Sequence, residues 1–433
     1  MKVCFVAENA YPAIAEKRRG AFGGMETQAW VFAKSLEQLK TCEVSFAVST
    51  PEPFATRTHA GIEVRNRRNF IEHVRRDVSK HCAIQHRWPL FRIRRWNRSL
   101  LWQVPLLLAS KPFRTRDDEA RSIATFYRIL SADVIVAFGV SSLTTAVVKA
   151  AKASGKKAFI SCASNDDLRA EYRSGSDYVS AFGDLGHVMG EGLQAADSVF
   201  VQTQWQQELA KSNLNLNTHV LPNPVDDQWL VWSENRDQLL SGVVEKLPQL
   251  RKPFVLWTGR TERFHKRPEM AFEVATRLPQ HQFVMVLNET DAEYAEELRR
   301  IRPSNVLLLP PFSHPRFLAI MSLATAFLST GSRQYEGFPN VFLQAGVLGI
   351  PVVSAGCDFG ILSDTGIGRS FDDRVPAMAE FLNQICTFPE KREQMICGVR
   401  EKTLGSFGSS AVAAKLWDLL SPFESEQIAH QTP

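Results

Sequence analysis

Residues 335–353 read YEGFPNVFLQAGVLGIPVV, and this stretch decides the fold. It begins after the apolar run Ala326–Ser329 and ends in a second apolar run, Val352–Ser354. The order predicts a strand, a loop that carries Glu336, a helix that opens at Pro339, and a second strand. Proline suits the first turn of a helix because its missing N–H would have had no partner there. Such a helix start leaves free N–H groups, which bind phosphate well.

The same alternation of strand and helix recurs along the chain. Apolar runs in the first half lie at Val3–Ala7, Val44–Val48, Asp133–Ala137, Ala158–Ser161 and Ser198–Gln202. Those in the second half lie at Phe254–Thr258, Gln282–Val286, Val306–Leu309, Ala326–Ser329 and Val352–Ser354. Helical patterns between them predict an α/β protein with two Rossmann-like, doubly wound domains that face each other across a cleft. Pro222 and Pro224 interrupt regular structure and favour a domain boundary near residue 226.

The segment from Glu336 to Val353 resembles the signature of glycosyltransferase family 4, retaining enzymes of the GT-B fold, which usually reads Glu, seven residues, Glu. The resemblance implies that Glu336 holds the donor sugar. It implies that amides of the following loop (Gly337, Phe338, Pro339, Asn340 and Val341) hold the diphosphate, and that residue 344 holds the ribose. Here residue 344 is Gln. Gln can still hydrogen-bond a ribose diol, but a charge-assisted bond is roughly twice as strong as a neutral one.

A second motif reads WTGR at 257–260 and continues as FHKRPE at 264–269. The resemblance places Gly259 at the donor, and Arg260 and Lys266 on the diphosphate of the leaving nucleotide. Departure of a nucleoside diphosphate develops negative charge, which preorganised cations stabilise. Arg is a fork-shaped clamp and Lys a point charge. We therefore expect Arg260, Lys266 and Glu336 to be catalytic. Arg267 is expected to face solvent, with the diphosphate as the alternative.

Three further matches concern the first half and the tail. The loop GAFGGMETQ at 20–28 is similar to the family's N-terminal glycine loop, with Gly23 and Gly24 near the donor phosphate. Glycines let a backbone come close to a ligand. Asn223 either fixes the hinge turn or contacts the acceptor. The resemblance implies an acceptor-side domain over 1–226, a nucleotide-sugar domain over 250–405, and a C-terminal crossover helix over 406–420 that returns to the first domain.

One feature of many family members is missing. They carry a His after the strand that corresponds to Asp133–Ala137, where this chain reads VAFG. Asn165 and Asp166, at the end of a predicted strand, are candidates for the acceptor side. The alternative is a loop that caps the next helix. A metal-binding DxD motif is not expected because the spacing is wrong. We expect no metal and no cofactor, since the nucleotide sugar is a substrate.

Composition limits the function classes. The chain has 433 residues, 44% of them hydrophobic and 22% charged, and a net charge of +5, which does not argue for nucleic acid. The apolar run at the start is too short for a secretory signal, and no run is long enough to span a membrane. Seven cysteines without CxxC spacing favour reduced thiols. We therefore expect a cytoplasmic protein.

The basic segment, residues 65–116, contains twelve arginines, among them those at 65, 67, 68, 75, 76, 87, 92, 94, 95 and 98, and also Trp88, Trp96 and Trp102. An apolar run, Leu100–Leu108, follows. The combination suits an element that lies on an anionic membrane as a peripheral contact. The alternatives are a helical insertion with a solvated basic face and a buried aromatic face, and RNA binding, for which no motif is present.

The resemblance thus implies a retaining hexosyltransferase that uses a nucleoside-diphosphate sugar, and we expect an acceptor glycan or lipid-linked glycan, in surface polysaccharide or glycolipid synthesis. No carboxylate is placed as a covalent nucleophile, which favours front-side displacement. Two alternatives stay open: a nucleotide-sugar epimerase of the same fold, and an inactive sugar-binding partner subunit.

Overall fold

A computed structural model describes residues 1–15, 24–50, 52, 54–68, 70–84, 91–93, 96–110, 118–180, 183–241 and 247–423. Within them the contacts divide the chain into two compact units. The first contains 1–161, 172–198 and the stretch that begins at Pro422. The second contains 162–171 and 199–421. The predicted domain ranges stay a prediction.

The first unit is a parallel sheet with helices. Its strands are β1 (Lys2–Val6), β2 (Glu43–Val48), β3 (Thr56–His59), β4 (Ile62–Asn66), β5 (Cys82–Ile84), β6 (Phe91–Ile93), β7 (Val134–Phe138) and β8 (Lys157–Ser161). Its helices are α1 (Tyr11–Ile14), α2 (Gly24–Leu39), α3 (Phe70–His81), α4 (Leu100–Ser110), α5 (Asp118–Ile129), α6 (Ser142–Lys152) and α7 (Gly186–Ala195). Six strands follow the order β8-β7-β1-β2-β4-β3, and only β3 among them is antiparallel to its neighbour. β5 and β6 form a separate antiparallel pair.

The second unit starts with a 3-10 helix, Asn165–Leu168, and the parallel pair β9 (Ser198–Val201) and β10 (His219–Val220), of which Ser198 counts with the first unit. Its other strands are β11 (Phe254–Arg260), β12 (Gln282–Asn288), β13 (Val306–Leu309), β14 (Ala326–Ser329), β15 (Val352–Ser354) and β16 (Gly368–Ser370). Its helices are α8 (Gln204–Leu214), α9 (Asp227–Glu234), α10 (Arg236–Ser241), α11 (Pro268–Thr276), α12 (Ala292–Ile301), α13 (His314–Met321), α14 (Asn340–Leu348), α15 (Ile361–Thr365), α16 (Val375–Thr387), α17 (Pro389–Ile396), α18 (Val399–Phe407) and α19 (Ser409–Leu420).

The second sheet is fully parallel and has the strand order β13-β12-β11-β14-β15-β16. In chain order this is 3-2-1-4-5-6, the Rossmann arrangement, in which the direction of winding reverses between strands 1 and 4. Ligands of such sheets bind outside the carboxyl ends of the strands at this switch point. Here the switch point lies between β11 and β14. The predicted α/β class with two Rossmann-like domains is confirmed.

Alternate residues of β11 enter two separate cores. Phe254 and Leu256 pack in one hydrophobic cluster and Val255 and Trp257 in the other, all at most 1% exposed. Side chains of a strand point alternately to opposite faces, and a parallel sheet is covered on both. The strand is therefore buried along its length, and the residues that end it reach the surface only at its carboxyl edge.

One local expectation changes. The helix expected to open at Pro339 begins at Asn340, with Pro339 as its N-cap. After Pro224 the chain forms α9 and α10. The Asp226 side chain accepts from the N–H of Gln228 and so caps α9, while Trp229 is 1% exposed. An N-cap and one buried indole stabilise this short helix.

The expected final helix is α19, which belongs to the second unit, and the chain rejoins the first unit at Pro422. Gly23 and much of the basic segment, with Arg87, Trp88, Arg94 and Arg95, lie outside the described residues. Of the helices that the structure does describe, none combines the length and apolar character needed to cross a membrane.

Two helical glycines offer a matched test of the packing of α14 on α18. A Cβ at Gly346 would lie 2.5 Å from Thr403 Oγ1, whereas one at Gly405 would meet nothing within 4 Å. We expect Gly346→Ala to lower the free energy of unfolding by ~1–3 kcal/mol because it overpacks the contact. Gly405→Ala should leave stability unchanged or raise it by up to ~1 kcal/mol, since Ala is the better helix former. Urea unfolding measures both, and equal effects would contradict the described packing.

Candidate functional site

The two loops at the switch point bring three charged or titratable side chains together. Lys266 lies in the loop after β11, and Glu336 in the loop after β14. Lys266 Nζ is 2.6 Å from Glu336 Oε2, and His265 Nε2 is 2.9 Å from the same oxygen. The sequence predicted Lys266 and Glu336 as site residues but assigned no role to His265. Its position next to Lys266 in the sequence does not indicate a role, because only the fold shows that both side chains contact the Glu336 carboxylate.

Glu336 is ionised in this arrangement. Its side chain is only 13% exposed, and burial alone would raise the pKa of the carboxyl. The charge of Lys266 and the hydrogen bond and charge of His265 outweigh burial and lower the pKa to about 2. A carboxylate that is held ionised beside cations, with limited access to water, can accept hydrogen bonds from a bound ligand.

Lys266 is placed by tight packing at the end of β11. A Cβ at Gly259 would lie 2.7 Å from the Trp257 ring and 3.0 Å from Lys266 Cβ, so only glycine fits there. Trp257 Nε1 donates to Thr330 Oγ1 over 2.8 Å, and that hydroxyl donates to the Lys266 carbonyl oxygen. The loop after β14 is thus hydrogen-bonded through Thr330 to the backbone of the loop after β11.

Arg267 does not face solvent as expected, because its side chain is hydrogen-bonded to residues of the loop after β14 and to Asp373. Its guanidinium forms two hydrogen bonds of 2.8 Å with the Asp373 carboxylate and also donates to the carbonyl oxygens of Thr330 and Gly331. Only 19% of the side chain is exposed. Arg267 has a φ of 47°, an uncommon conformation for a residue other than glycine. These contacts hold it there, and they make Arg267 a structural residue.

Asn165 supports the Glu336 loop from behind. Its Nδ2 donates to the carbonyl oxygens of Arg333 and Glu336, each over 2.8 Å, and its Oδ1 accepts from Gln206 Nε2. The side chain is buried, with 6% exposure of the residue. The sequence placed Asn165 among the acceptor-side candidates. In the structure its side-chain N–H groups are hydrogen-bonded to the backbone of the loop that carries Glu336.

Further amides continue this support toward α14. Gln202 Oε1 accepts from the Phe338 N–H over 3.1 Å, and Gln202 Nε2 donates to Asn223 Oδ1. Asn223 Nδ2 in turn donates to Asn340 Oδ1 over 2.8 Å. Sequence reasoning missed Gln202 and Gln206. The one available signal was the position of Gln202 as the last residue of a predicted strand.

The predicted diphosphate loop is therefore partly engaged within the protein. A Cβ at Gly337 would lie 2.7 Å from the Ala163 carbonyl oxygen, so this glycine is packed closely. The Phe338 N–H is hydrogen-bonded to Gln202, and the Asn340 side chain to Asn223. Val341 packs partly against the core below α14. Pro339, as the N-cap, has no side-chain bond that caps the helix.

Gln344 lies one turn into α14 and is 8% exposed. Its Nε2 is 2.8 Å from Nε2 of His314, the first residue of α13. Burial lowers the pKa of His314, and the nearby Asp226 opposes this shift. A neutral imidazole nitrogen can accept from the Gln344 amide, which fixes the orientation of that amide. The sequence gave no reason to single out His314.

Arg260 ends β11 and is about half exposed. Its Nε is 3.2 Å from Glu262 Oε1. Arg260 also lines a cavity of about 550 Å³, whose other lining residues are Ser164, Asp166, Thr261, Glu262, Arg263, Phe264, His265, Thr290, Asp291, Tyr294 and Tyr335. Asp166 is 52% exposed there and pairs with Arg169. The predicted Arg260 and Asp166 thus share one cavity within the second unit.

Gly24 lies in the first unit, where it starts α2 and is exposed.

No protein-family model matches the chain, and no curated protein matches it by sequence. Solved structures do match. Anabaena Alr3699/HepE in complex with UDP is 16% identical, with a TM-score of 0.61, over 98% of this chain and 100% of that one. The lipopolysaccharide outer core galactosyltransferase WaaB is 18% identical, with a TM-score of 0.54 and the same coverage. UDP-GlcNAc 2-epimerase from Neisseria meningitidis is 15% identical, with a TM-score of 0.53 and again the same coverage.

These likenesses establish the fold. The chain has the two-domain GT-B architecture, which the neighbours share although one of them is an epimerase. Unrelated chemistries recur on one fold, so activity must be argued from the site.

The pKa of Glu336 makes stability depend on pH. A carboxyl whose folded pKa is about 2, against an ordinary value of 4.5, stabilises the folded state above pH 4.5 and loses this contribution as pH falls through 2. Between pH 5 and pH 3 the wild type should therefore lose about 2 kcal/mol of unfolding free energy relative to Glu336→Gln. Urea titrations at both pH values measure this. Lys266→Met should shrink the difference, and an equal pH dependence of wild type and Glu336→Gln would contradict the described ion pair.

Proposed function

We propose that this chain is a retaining glycosyltransferase that moves a hexose-type sugar from a nucleoside diphosphate to an acceptor hydroxyl. The observation that carries the proposal is the contact of Lys266 and His265 with Glu336 at the switch point of the second sheet. Two cationic or titratable donors and one ionised carboxylate suit the two halves of a nucleotide sugar. The diphosphate needs cations, and the sugar hydroxyls need an acceptor.

In the proposed reaction the bond between the anomeric carbon and the β-phosphate oxygen breaks, and a bond from that carbon to the acceptor oxygen forms on the same face. The acceptor proton passes to the departing phosphate oxygen, so charge and atoms balance. Lys266 and Arg260 stabilise the charge that develops on the leaving diphosphate. Glu336 orients the sugar by accepting from its hydroxyls. The α14 start and Gln344 serve the diphosphate and the ribose.

The Arg260 and Lys266 side chains differ in how far they are exposed and restrained, which suits them to different parts of the reaction. Lys266 is held by Glu336 and by its packed backbone, and its side chain is 24% exposed. Arg260 is about half exposed at the cavity wall. A preorganised point charge costs no reorganisation during the reaction, whereas an exposed guanidinium can fold onto a ligand as it arrives. We propose that Lys266 is preorganised for the charge that develops in the transition state, and that Arg260 first captures the diphosphate and then stabilises the same charge.

The proposal extends to donor and acceptor classes. Two neighbouring structures contain UDP, one of them together with glucose, which makes UDP-sugars the first donors to test. We propose an acceptor glycan or lipid-linked glycan in polysaccharide or glycolipid synthesis, and a cytoplasmic location. Incubation of the purified protein with UDP-hexoses and an acceptor panel separates the readings. Transfer supports the proposal, a changed sugar without transfer indicates an epimerase, and binding without turnover indicates a sugar-binding relative.

Lys266→Ala tests the transition-state role. We expect kcat to fall by at least ~10²-fold, the scale seen when one transition-state donor is removed. Loss of the lysine also leaves the buried Glu336 less compensated, so Lys266→Met, which keeps the packing of the stem, is assayed alongside and should lose as much activity. Lys391→Ala, an exposed lysine of α17, is the control and should keep wild-type turnover. Near-normal kcat for both Lys266 variants, with folding verified by circular dichroism, would refute the assignment.

Gln344 provides a separate test of the nucleoside end. If its amide contacts the ribose, the 2′-deoxyribose donor should bind about fivefold more weakly than the ribose donor, the value of one hydrogen bond of ~1 kcal/mol. Gln344→Glu should keep activity, change donor affinity and raise the pKa of His314, since a carboxylate then stands beside that imidazole. Calorimetry with both donors and histidine titration by NMR measure these effects. Equal affinity for the two donors would remove residue 344 from the site.

A further inference from the structure

The imidazole of His265 lies between two carboxylates. Its Nε2 is 2.9 Å from Glu336 Oε2, and its Nδ1 is 3.3 Å from Glu262 Oε2. Because an ionised carboxylate can only accept a hydrogen bond, the contact with Glu336 requires a hydrogen on Nε2. The ring can donate to both carboxylates at once only when Nδ1 also carries a hydrogen, which gives the ring a positive charge.

The Arg260 guanidinium stands beside the same ring nitrogen. Its Nη2 is 3.5 Å from His265 Nδ1, and its Nε is 3.2 Å from Glu262 Oε1. A guanidinium is always charged and can only donate, so a proton on Nδ1 would stand directly against a positive charge. Glu262 meanwhile already has a cation beside it. Arg260 and a charged His265 are thus alternative partners of one carboxylate.

The ring is held in place, whereas Arg260 is free to move. The His265 carbonyl oxygen accepts from the Ser332 N–H over 2.9 Å, and the Lys266 carbonyl oxygen accepts from the Thr330 hydroxyl. Both bonds come from the loop after β14, and the His265 side chain is only 23% exposed. The Arg260 side chain is about half exposed. It can therefore leave Glu262 without displacing the imidazole.

We propose that His265 takes up a proton at Nδ1 when a bound diphosphate draws Arg260 away from Glu262, so that donor binding is linked to proton uptake. This linkage rests on the proposed function, in which Arg260 captures the diphosphate. The diphosphate brings negative charge and removes the guanidinium, and both changes favour a charged ring. The proton comes from solvent and binds the lone pair of Nδ1, which then donates to Glu262 while Nε2 still donates to Glu336. His265 is thus a positioning residue that keeps both carboxylates hydrogen-bonded during the reaction.

Other charged groups near the ring already have partners of their own. These are Lys266 with Glu336, Arg263 with Glu269 and Glu297, Asp166 with Arg169, and Asp291 with the N–H of Tyr294. The Tyr335 ring lies 6.5 Å from the imidazole, measured between centroids. The departure of Arg260 therefore changes the charge beside Nδ1 while these pairs stay in place.

Calorimetry of UDP binding to the full chain measures the proton directly. Titrations at pH 7.5 in two buffers of different ionisation enthalpy give the number of protons taken up. We expect the wild type to take up about half a proton more per UDP than His265→Gln, which keeps a donor but cannot become charged. Glu262→Gln should lose at least about half of this difference, because the new N–H then lacks an ionised acceptor. His219→Gln, an exposed histidine of β10, is the matched control and should behave like the wild type.

The pH dependence of UDP affinity supplies a second readout. A proton that binds together with the ligand makes binding weaker as pH rises. Between pH 6.5 and pH 8.5 the wild type should therefore lose about threefold or more in affinity relative to His265→Gln. The terminal phosphate of UDP also titrates, but it does so equally for both proteins. A purely structural role of the ring would weaken binding of the variant by the same factor at both pH values.

The outcomes separate the proton linkage from the proposed function. If UDP binds and His265→Gln takes up as many protons as the wild type, the linkage is wrong while the donor site stands. If Glu262→Gln takes up as many protons as the wild type, Glu262 does not hold the new N–H and the linkage is again wrong. If neither UDP, GDP nor ADP binds, the proposed donor site fails and the linkage fails with it. Circular dichroism verifies that each variant is folded.

Discussion

The contact between Lys266 and Glu336 is the constraint around which the loops of the candidate site are arranged. A carboxylate that is mostly removed from water is costly unless cations and hydrogen-bond donors surround it. The fold meets this requirement by ending two adjacent parallel strands at the same edge, so that two loops distant in sequence share one ion pair. Removing either partner leaves an uncompensated charge. A substitution of either residue would therefore disturb the geometry of the two loops as well as the proposed chemistry.

Around this pair, neutral amides do the positioning. Asn165, Gln202 and Asn223 each use both ends of the side chain, and their partners include the backbone on either side of Glu336 and the first residue of α14. Amides suit this task because each offers donors and an acceptor without adding charge that would shift the neighbouring carboxylate. Uncharged amides and the Arg267–Asp373 ion pair thus hold the loops that carry Lys266 and Glu336.

Sequence patterns could predict the strands β13, β14 and β15 to the residue, because short apolar runs between turn signals leave little choice of period. The family resemblance singled out Lys266 and Glu336, which the structure brings into contact, and their role in a site stays a prediction. Sequence patterns could not predict His265, His314 or Gln202, since a lone polar residue gains a role only through a partner that is far away in sequence. Arg267 was misjudged for the same reason, because Asp373 lies 106 residues later.

The units of this molecule are interleaved along the chain. The second unit takes residues 162–171, gives way to the first for 172–198, and resumes at 199, while the first unit regains the chain only at Pro422. Neither is one continuous piece of polypeptide. During synthesis Asn165 emerges long before the loop that it will support, and the first unit lacks its last segment until the ribosome has passed residue 421. Any single cut of the chain therefore leaves a piece of one unit joined to the other.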